Sequence, residues 1–330
     1  EGVFIQETCF EHKRYPLKTY NFTPNQLSEG INIEMNKVTK TLVGFAILTL
    51  VFVFSCQKKN NKPEDTILEG KATVYVDETI LPIVEDEAAV FETEYDAKLK
   101  LVSKSENEII NDLFNDTAKI VILTRTLSAR ELKVFQSKKI NPKTRPFATD
   151  AVAFIKSKTT NDTLIALQDV IDFVHGKVVP NIKGLVFDNP NSSTVRYMDS
   201  LAGLPSIPQK GVFSFGTNNE VIKFVSENSG MIGVVGINWL SQPRPAMQKY
   251  VDNVHVLSVK GLNDTNYYEP SQNNIAEGKY ALSRDLYIIN CQGYSGLGMG
   301  FASFVAGDIG QRIILKSGLL PVKVPPRKLN

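Results

Sequence analysis

Short apolar strands and amphipathic helices take turns along most of this chain, and that alternation limits the fold more than any other feature. KATVYVD (71–77) alternates Ala72, Val74 and Val76 with polar neighbours, as a half-buried strand does. ILPIVEDEAAVFETEYD then sets Val84, Ala88, Phe91 and Tyr95 at helical spacing. KLKLVS (98–103) reads as a second strand, ENEIINDLFND (106–116) as a helix and KIVILT (119–124) as a continuous apolar strand. SARELKVFQSK (128–138) opens on Ser128 with Glu131 three residues on, a capping box that starts a third helix. DAVAFIKS (150–157) is again a strand. The style continues with TLIALQDVIDFVHG (helix, Gly176 near its end), GVFSFG (strand), EVIKFVSENSG (helix), MIGVVGI (strand) and DLYIINC (285–291, strand). Such alternation builds parallel βαβ units, and a fully apolar strand belongs in a sheet covered on both faces.

Composition narrows the function classes. The 330 residues carry 37 Lys and Arg against 35 Asp and Glu, a net charge of +2. A general nucleic-acid binder needs a cationic excess to displace counterions, so nucleic acid is not an expected partner. Three Cys and three His make neither a disulfide framework nor a Cys/His zinc site, and no metal or cofactor is expected.

The amino-terminal part reads differently. Met35 opens a segment with Lys37 and Lys40, then an apolar run from Leu42 to Phe54. A comfortable membrane span takes about 20 residues, so this run reads as a signal peptide over 35–55. Val53-Phe54-Ser55-Cys56 resembles a lipobox, with Cys56 as the lipidated residue. Residues 1–34 are then expected to be a non-native upstream segment, and residues 56–67, polar and proline-bearing, a tether.

Few residues offer chemistry. Gly296, Gly298 and Gly300 sit between a strand and a helix, but Phe301 stands where a dinucleotide fingerprint needs its third glycine, so a packed turn is expected. His12, His175 and His255 are scattered, and Cys291 reads as a buried free thiol. The strand-to-helix loops are richer. DNPNSSTVRYMDSLAG (188–203) starts a helix on Ser192, Ser193 and Thr194, whose hydroxyls and unpaired first-turn N–H groups fit either an ordinary N-cap cluster or an anion site. Arg196 in that first turn opposes the helix dipole unless an acid or anion lies nearby. Arg125 and Thr126 follow one strand, Thr79 another, and Ser103 and Ser105 a third. In parallel α/β sheets, ligands gather beyond such strand ends.

The order of these segments resembles the phosphate-binding proteins of bacterial ABC importers, within the periplasmic-binding-protein superfamily. The resemblance covers about residues 70–325. It is carried by DAVAFIKSKTTNDTLIALQDVIDFVHGK (150–177), SENSGMIGVVGINWL (226–240) and the stretch from Ile275 to Val322, with the pattern G-x-Y-x-L-S-R-x-L-Y. It implies two α/β lobes with mixed, mostly parallel sheets, joined by crossing strands and closing on an anion. Lobe 1 is expected over 68–152 plus 256–330 and lobe 2 over 153–255.

Carried over residue by residue, the family's first loop resembles Thr79 and Ile80, its second-strand Ser resembles Ser103 or Ser105, and its Ser-Gly-Thr helix start resembles Ser192, Ser193 and Thr194. Two positions depart from the pattern. Thr124-Arg125-Thr126 stands where relatives carry an Asp, and Asp188 where they carry an Arg. The resemblance therefore implies Arg125 as the charged contact to the anion, with Asp188 or Glu78 as acceptor.

The expected protein is a non-enzymatic, monomeric lipoprotein of the cell envelope. It captures phosphate or a similar oxyanion and delivers it to ABC permease subunits. Another anion, an organophosphate, or a sensor or scaffold role without transport are the alternatives.

Overall fold

A computed structural model describes residues 65–208 and 210–324. The signal-like run, Cys56 and residues 1–34 lie outside the described residues. The chain runs β1 (Gly70–Asp77), a 3-10 turn (Glu78–Ile80), α1 (Leu81–Glu94), β2 (Ala97–Lys104), α2 (Glu106–Phe114), β3 (Ile120–Leu123), α3 (Ala129–Ser137) and β4 (Lys143–Ser157). It continues β5 (Leu164–Ala166), α4 (Leu167–Val174), β6 (Gly184–Phe187), α5 (Ser193–Ala202), β7 (Val212–Ser214), α6 (Asn218–Glu227) and β8 (Met231–Gly236). Short elements follow: α7 (Asn238–Ser241), α8 (Gln248–Val251), β9 (Val254–Val256), β10 (Ser258–Lys260) and α9 (Gln272–Ala276). The chain closes on β11 (Ser283–Asn290), α10 (Leu297–Val305), α11 (Asp308–Lys316) and β12 (Leu320–Pro321).

The main sheet has the strand order β2-β1-β3-β11-β4-β8-β6-β7, with β12 and β9 also paired to β4. Its flanks are parallel: β2, β1 and β3 at one end, β8, β6 and β7 at the other. Its centre is antiparallel and turns on β4. The first part of that strand, up to Ala151, pairs with β11, and Val152–Lys156 pairs with β8. One strand therefore belongs to both halves, and everything attached to β1–β3 meets everything attached to β6–β8 along it.

The sequence places this strand at 150–157, but it starts at Lys143. Pro146 hides the extension, because proline cannot donate to a ladder. The structure absorbs it by a register shift between Leu286 and Tyr287, which face Ala148 and Pro146 and leave Phe147 unmatched. A second difference concerns the helix expected from Thr163. Residues 164–166 form β5 instead, paired with β10, and the helix begins at Leu167. The short strands β9 and β10 had no clear alternation to announce them.

One apolar core runs through both halves, and a smaller cluster under β3 includes Ile109, Leu113, Val121, Phe135 and Ile289. All four residues of β3 are buried, as its unbroken apolar run requires. Phe91 of α1 packs on Phe301 and Phe304 of α10 at 5.4 and 5.3 Å, edge to face. Gly298 and Gly300, expected in a turn before this helix, lie within α10 itself, and only Gly296 precedes it as the N-cap. A Cβ on Gly300 would lie 1.6 Å from the carbonyl oxygen of Ile67, so only glycine lets the incoming chain cross the helix there. Asp65 caps the same helix by accepting from the Leu297 N–H, and the Tyr294 hydroxyl donates to it at 2.6 Å.

Candidate functional site

The end of β1, the middle of β4 and the starts of β11 and α5 converge on the junction of the two half-sheets. Asp77 ends β1, and its Oδ1 accepts from the Thr79 backbone N–H at 3.1 Å and the Thr79 hydroxyl at 3.0 Å. This local bond fixes the 3-10 turn and aims Thr79 across the junction. There its Oγ1 lies 2.9 Å from Ser193 Oγ, on the first residue of α5. With the Thr79 proton committed to Asp77, Ser193 donates in this pair. Both residues are fully buried.

Between them sits an arginine that the sequence did not single out. Arg284, in β11, donates from Nη1 to Ser193 Oγ and from Nη2 to Thr79 Oγ1, both at 3.0 Å. Its Nε and Nη2 also bind Asp150 Oδ2 at 3.2 and 3.0 Å. Arg284 and Asp150 oppose one another in the β4–β11 ladder, so strand register places the pair. Their side chains are 3% and 0% exposed, which makes this a desolvated ion pair. On the other side, Asn238 and Trp239 side chains donate to the Thr79 carbonyl at 3.1 and 3.0 Å.

The hydroxyls at the start of α5 are held by an acid. Ser192 Oγ and Thr194 Oγ1 each donate to Asp188 Oδ1 at 2.7 Å, and Ser192 Oγ accepts from the Val195 N–H. Asp188 thus has an acceptor's role toward its own helix start. Asn218, which opens α6, donates its N–H and Nδ2 to Glu78 at 3.1 and 2.6 Å, and Nδ2 lies 3.4 Å from Asp188 Oδ2.

The remaining expected residues lie around this cluster. Ile80 is a core residue of the first half. Ser103 is exposed at the end of β2. Ser105 is buried and donates its N–H and hydroxyl to Glu108, completing a capping box on α2. Both serines line a cavity of about 460 Å³, together with Glu78, Asp188, Thr217 and Arg244.

Arg125 does not meet Thr79, Ser192, Ser193 or Thr194. Its Nε donates to Glu106 Oε1 at 2.7 Å, and its two terminal nitrogens grip Glu131 at 2.7 and 2.9 Å. Nη1 also reaches the carbonyl of Thr126, whose side chain is exposed. Two glutamates supplied by neighbouring helix starts satisfy the guanidinium that the resemblance assigned to an anion. Glu106 Oε1 accepts as well from Arg196 Nε at 2.7 Å. Glu106 is therefore the acid that excuses Arg196 in the first turn of α5.

Acidic groups outnumber the buried arginine. Burial lifts Asp77 to about 6, against the pull of Arg284. Burial, then the nearby Asp188 charge, lifts Glu78 to about 8, against the two Asn218 bonds. Asp150 is also raised by burial, opposed by Arg284. Asp77 Oδ2, Asp150 Oδ1, Asn218 Oδ1 and Asn238 Oδ1 are buried without a hydrogen-bond partner among the described residues. Every one of these atoms is an acceptor, or becomes a donor only when protonated.

Two half-sheets sharing β4, with a polar cluster sealed at their junction, define the two-lobed periplasmic-binding-protein fold. A family model described as a PBP superfamily domain matches residues 62–308, and the chain belongs to that superfamily. Among solved structures it is similar to one assigned as a phosphate ABC transporter substrate-binding protein with bound phosphate from Clostridium perfringens. The identity is 19%, with 77% of this chain and 100% of that chain covered and a TM-score of 0.65. An ABC-type phosphate transport receptor from Vibrio cholerae shares 17% identity over 76% of this chain and 100% of its own, at a TM-score of 0.57. A possible phosphate binding protein from Planctomyces limnophilus shares 15% over 78% and 94%, at 0.53. No curated protein matches the chain.

Proposed function

We propose that this chain is a solute-binding protein that captures an oxyanion, phosphate, between its two lobes and delivers it to an ABC permease. The observation that carries this reading is the meeting of Thr79, Ser193 and Arg284 within 3.0 Å of one another at the start of α5. Two hydroxyls, a guanidinium and first-turn N–H groups supply the donors that a tetrahedral anion takes up. The anion enters by replacing the direct Thr79–Ser193 contact. Asp150 keeps Arg284 aimed, and Ser192, Thr194 and the cavity residues Ser103 and Ser105 border the site. Arg125 acts at one remove, through Glu106 and Arg196 on α5.

The unpartnered acceptors favour an anion that carries a proton. Hydrogenphosphate brings an O–H to Asp77 Oδ2, whereas sulfate brings none and leaves that oxygen unpaired. The lobes are assigned as 68–152 plus 256–330 and 153–255, and the change of β4 from β11 to β8 supports a boundary at 152. The reading includes attachment to a bacterial membrane through lipid on Cys56 and a monomeric, non-enzymatic protein. Titration calorimetry with inorganic phosphate and with sulfate tests the ligand. Phosphate should bind at least about tenfold more tightly, roughly 1.4 kcal/mol. Heats of dilution alone for phosphate would refute the assignment.

A further inference from the structure

A groove of about 1140 Å³ lies at the other end of β1–β3 from the anion site. Its lining includes Lys71, Lys98, Lys100 and Lys119, together with Asp65, Glu92 and Tyr294. The six positions from Thr73, which lines the groove, to Thr79 span roughly 20 Å, at about 3.3 Å per residue.

The lysines are placed by strand register. Lys71 and Lys98 are direct partners in the parallel β1–β2 pair, and Lys100 follows on the same face. Like charges opposed across strands repel. Only part of this charge is answered locally. Lys98 binds Glu92 at 3.1 Å and Lys119 binds Asp116, while Lys71 and Lys100 have no carboxylate within salt-bridge distance among the described residues. Asp65, the groove's other acid, is already committed to capping α10.

The chain upstream of this groove supplies the second argument. Asp65, the first of the described residues, is fixed in the groove. Cys56 lies nine positions earlier, which spans at most about 32 Å of extended chain. Lys58, Lys59 and Lys62 fall in that interval. We infer that the lysine groove of β1 and β2 is a docking face for an anionic lipid surface. This rests on membrane attachment through Cys56 and is independent of which anion the cleft takes.

The test uses the full chain, isolated from membranes and reconstituted into protein-free vesicles. One set is phosphatidylcholine alone, and the other contains phosphatidylglycerol as well. Lysines are acylated with a water-soluble reagent and read by mass spectrometry. On the anionic vesicles Lys71, Lys98 and Lys100 should react about threefold to tenfold more slowly, and the protection should vanish near ~0.5 M salt, where screening is strong. Lys158, at the far end of β4, should be unaffected. Lys71→Glu with Lys100→Glu should remove the protection of Lys98 and leave the phosphate titration unchanged.

Equal labelling on both vesicles, with the chain still floating with them, overturns the docking face alone and leaves the anchor and the anion site standing. Protection on native membranes but not on protein-free anionic vesicles assigns the groove to a protein partner and also overturns it. So does protection by millimolar phosphate over neutral vesicles. A chain that floats with neither vesicle overturns the docking face and the anchor together.

Discussion

Thr79 and Ser193 differ from the other strand-end hydroxyls in what they face. Ser192 and Thr194 spend their protons on Asp188, but Ser193 reaches across the junction to Thr79 and Arg284. Ser193→Ala should therefore weaken phosphate binding by about 1.5–3 kcal/mol in calorimetry, the range for a lost hydrogen bond to a charged group. Arg125→Ala should cost less affinity than Ser193→Ala, because its bonds end on Glu106 and Glu131. Arg284→Met leaves Asp150 buried and unpaired, so urea unfolding should show a loss of about 3–5 kcal/mol. The hydroxyls were legible in the sequence, since small polar residues between a strand and a helix mark themselves. Arg284 was not. It sits inside a motif that signals family membership, and its role follows from the pairing of β4 with β11, across 134 residues of chain.

Helix α1 carries an unusual element-scale feature on its core face. Glu87 is 1% exposed, neither carboxyl oxygen has a partner among the described residues, and burial, then Asp86, pushes its pKa to about 8. A pKa raised on folding means the native state holds a proton that the unfolded chain releases. The stability tied to Glu87 is therefore full below about 4.5 and is lost as pH rises through about 8. Glu87→Met should raise stability at pH 9 by about 1–3 kcal/mol in urea titrations, and flatten its pH dependence. The helix itself was legible from Val84, Ala88 and Phe91, and their spacing puts position 87 on the same face, but no pattern in the sequence shows that its carboxyl has no partner there. Irregular strands were less legible. Pro146 sits within β4 beside the bulge at Phe147, and β5 precedes α4 without any change in composition.

At the scale of the whole molecule, the alternation of strands and helices identified an α/β fold, and β4 makes it two-lobed by pairing with β11 and then β8. The lobes also meet through carboxylates whose charge depends on pH. Glu78 at about 8 lies beside Asp188, and Asn218 bridges the two. As pH rises through about 8, Glu78 ionises against Asp188, so phosphate affinity should fall across that window, and Glu78→Gln should remove the fall. The central claim is that the anion sits where the two lobes exchange Thr79, Ser193 and Arg284. A crystal structure grown with phosphate tests this most directly. Tetrahedral density within about 3 Å of Thr79 Oγ1, Ser193 Oγ and the first N–H groups of α5 is the expected result. Density elsewhere, or an empty junction at saturating phosphate, would contradict it.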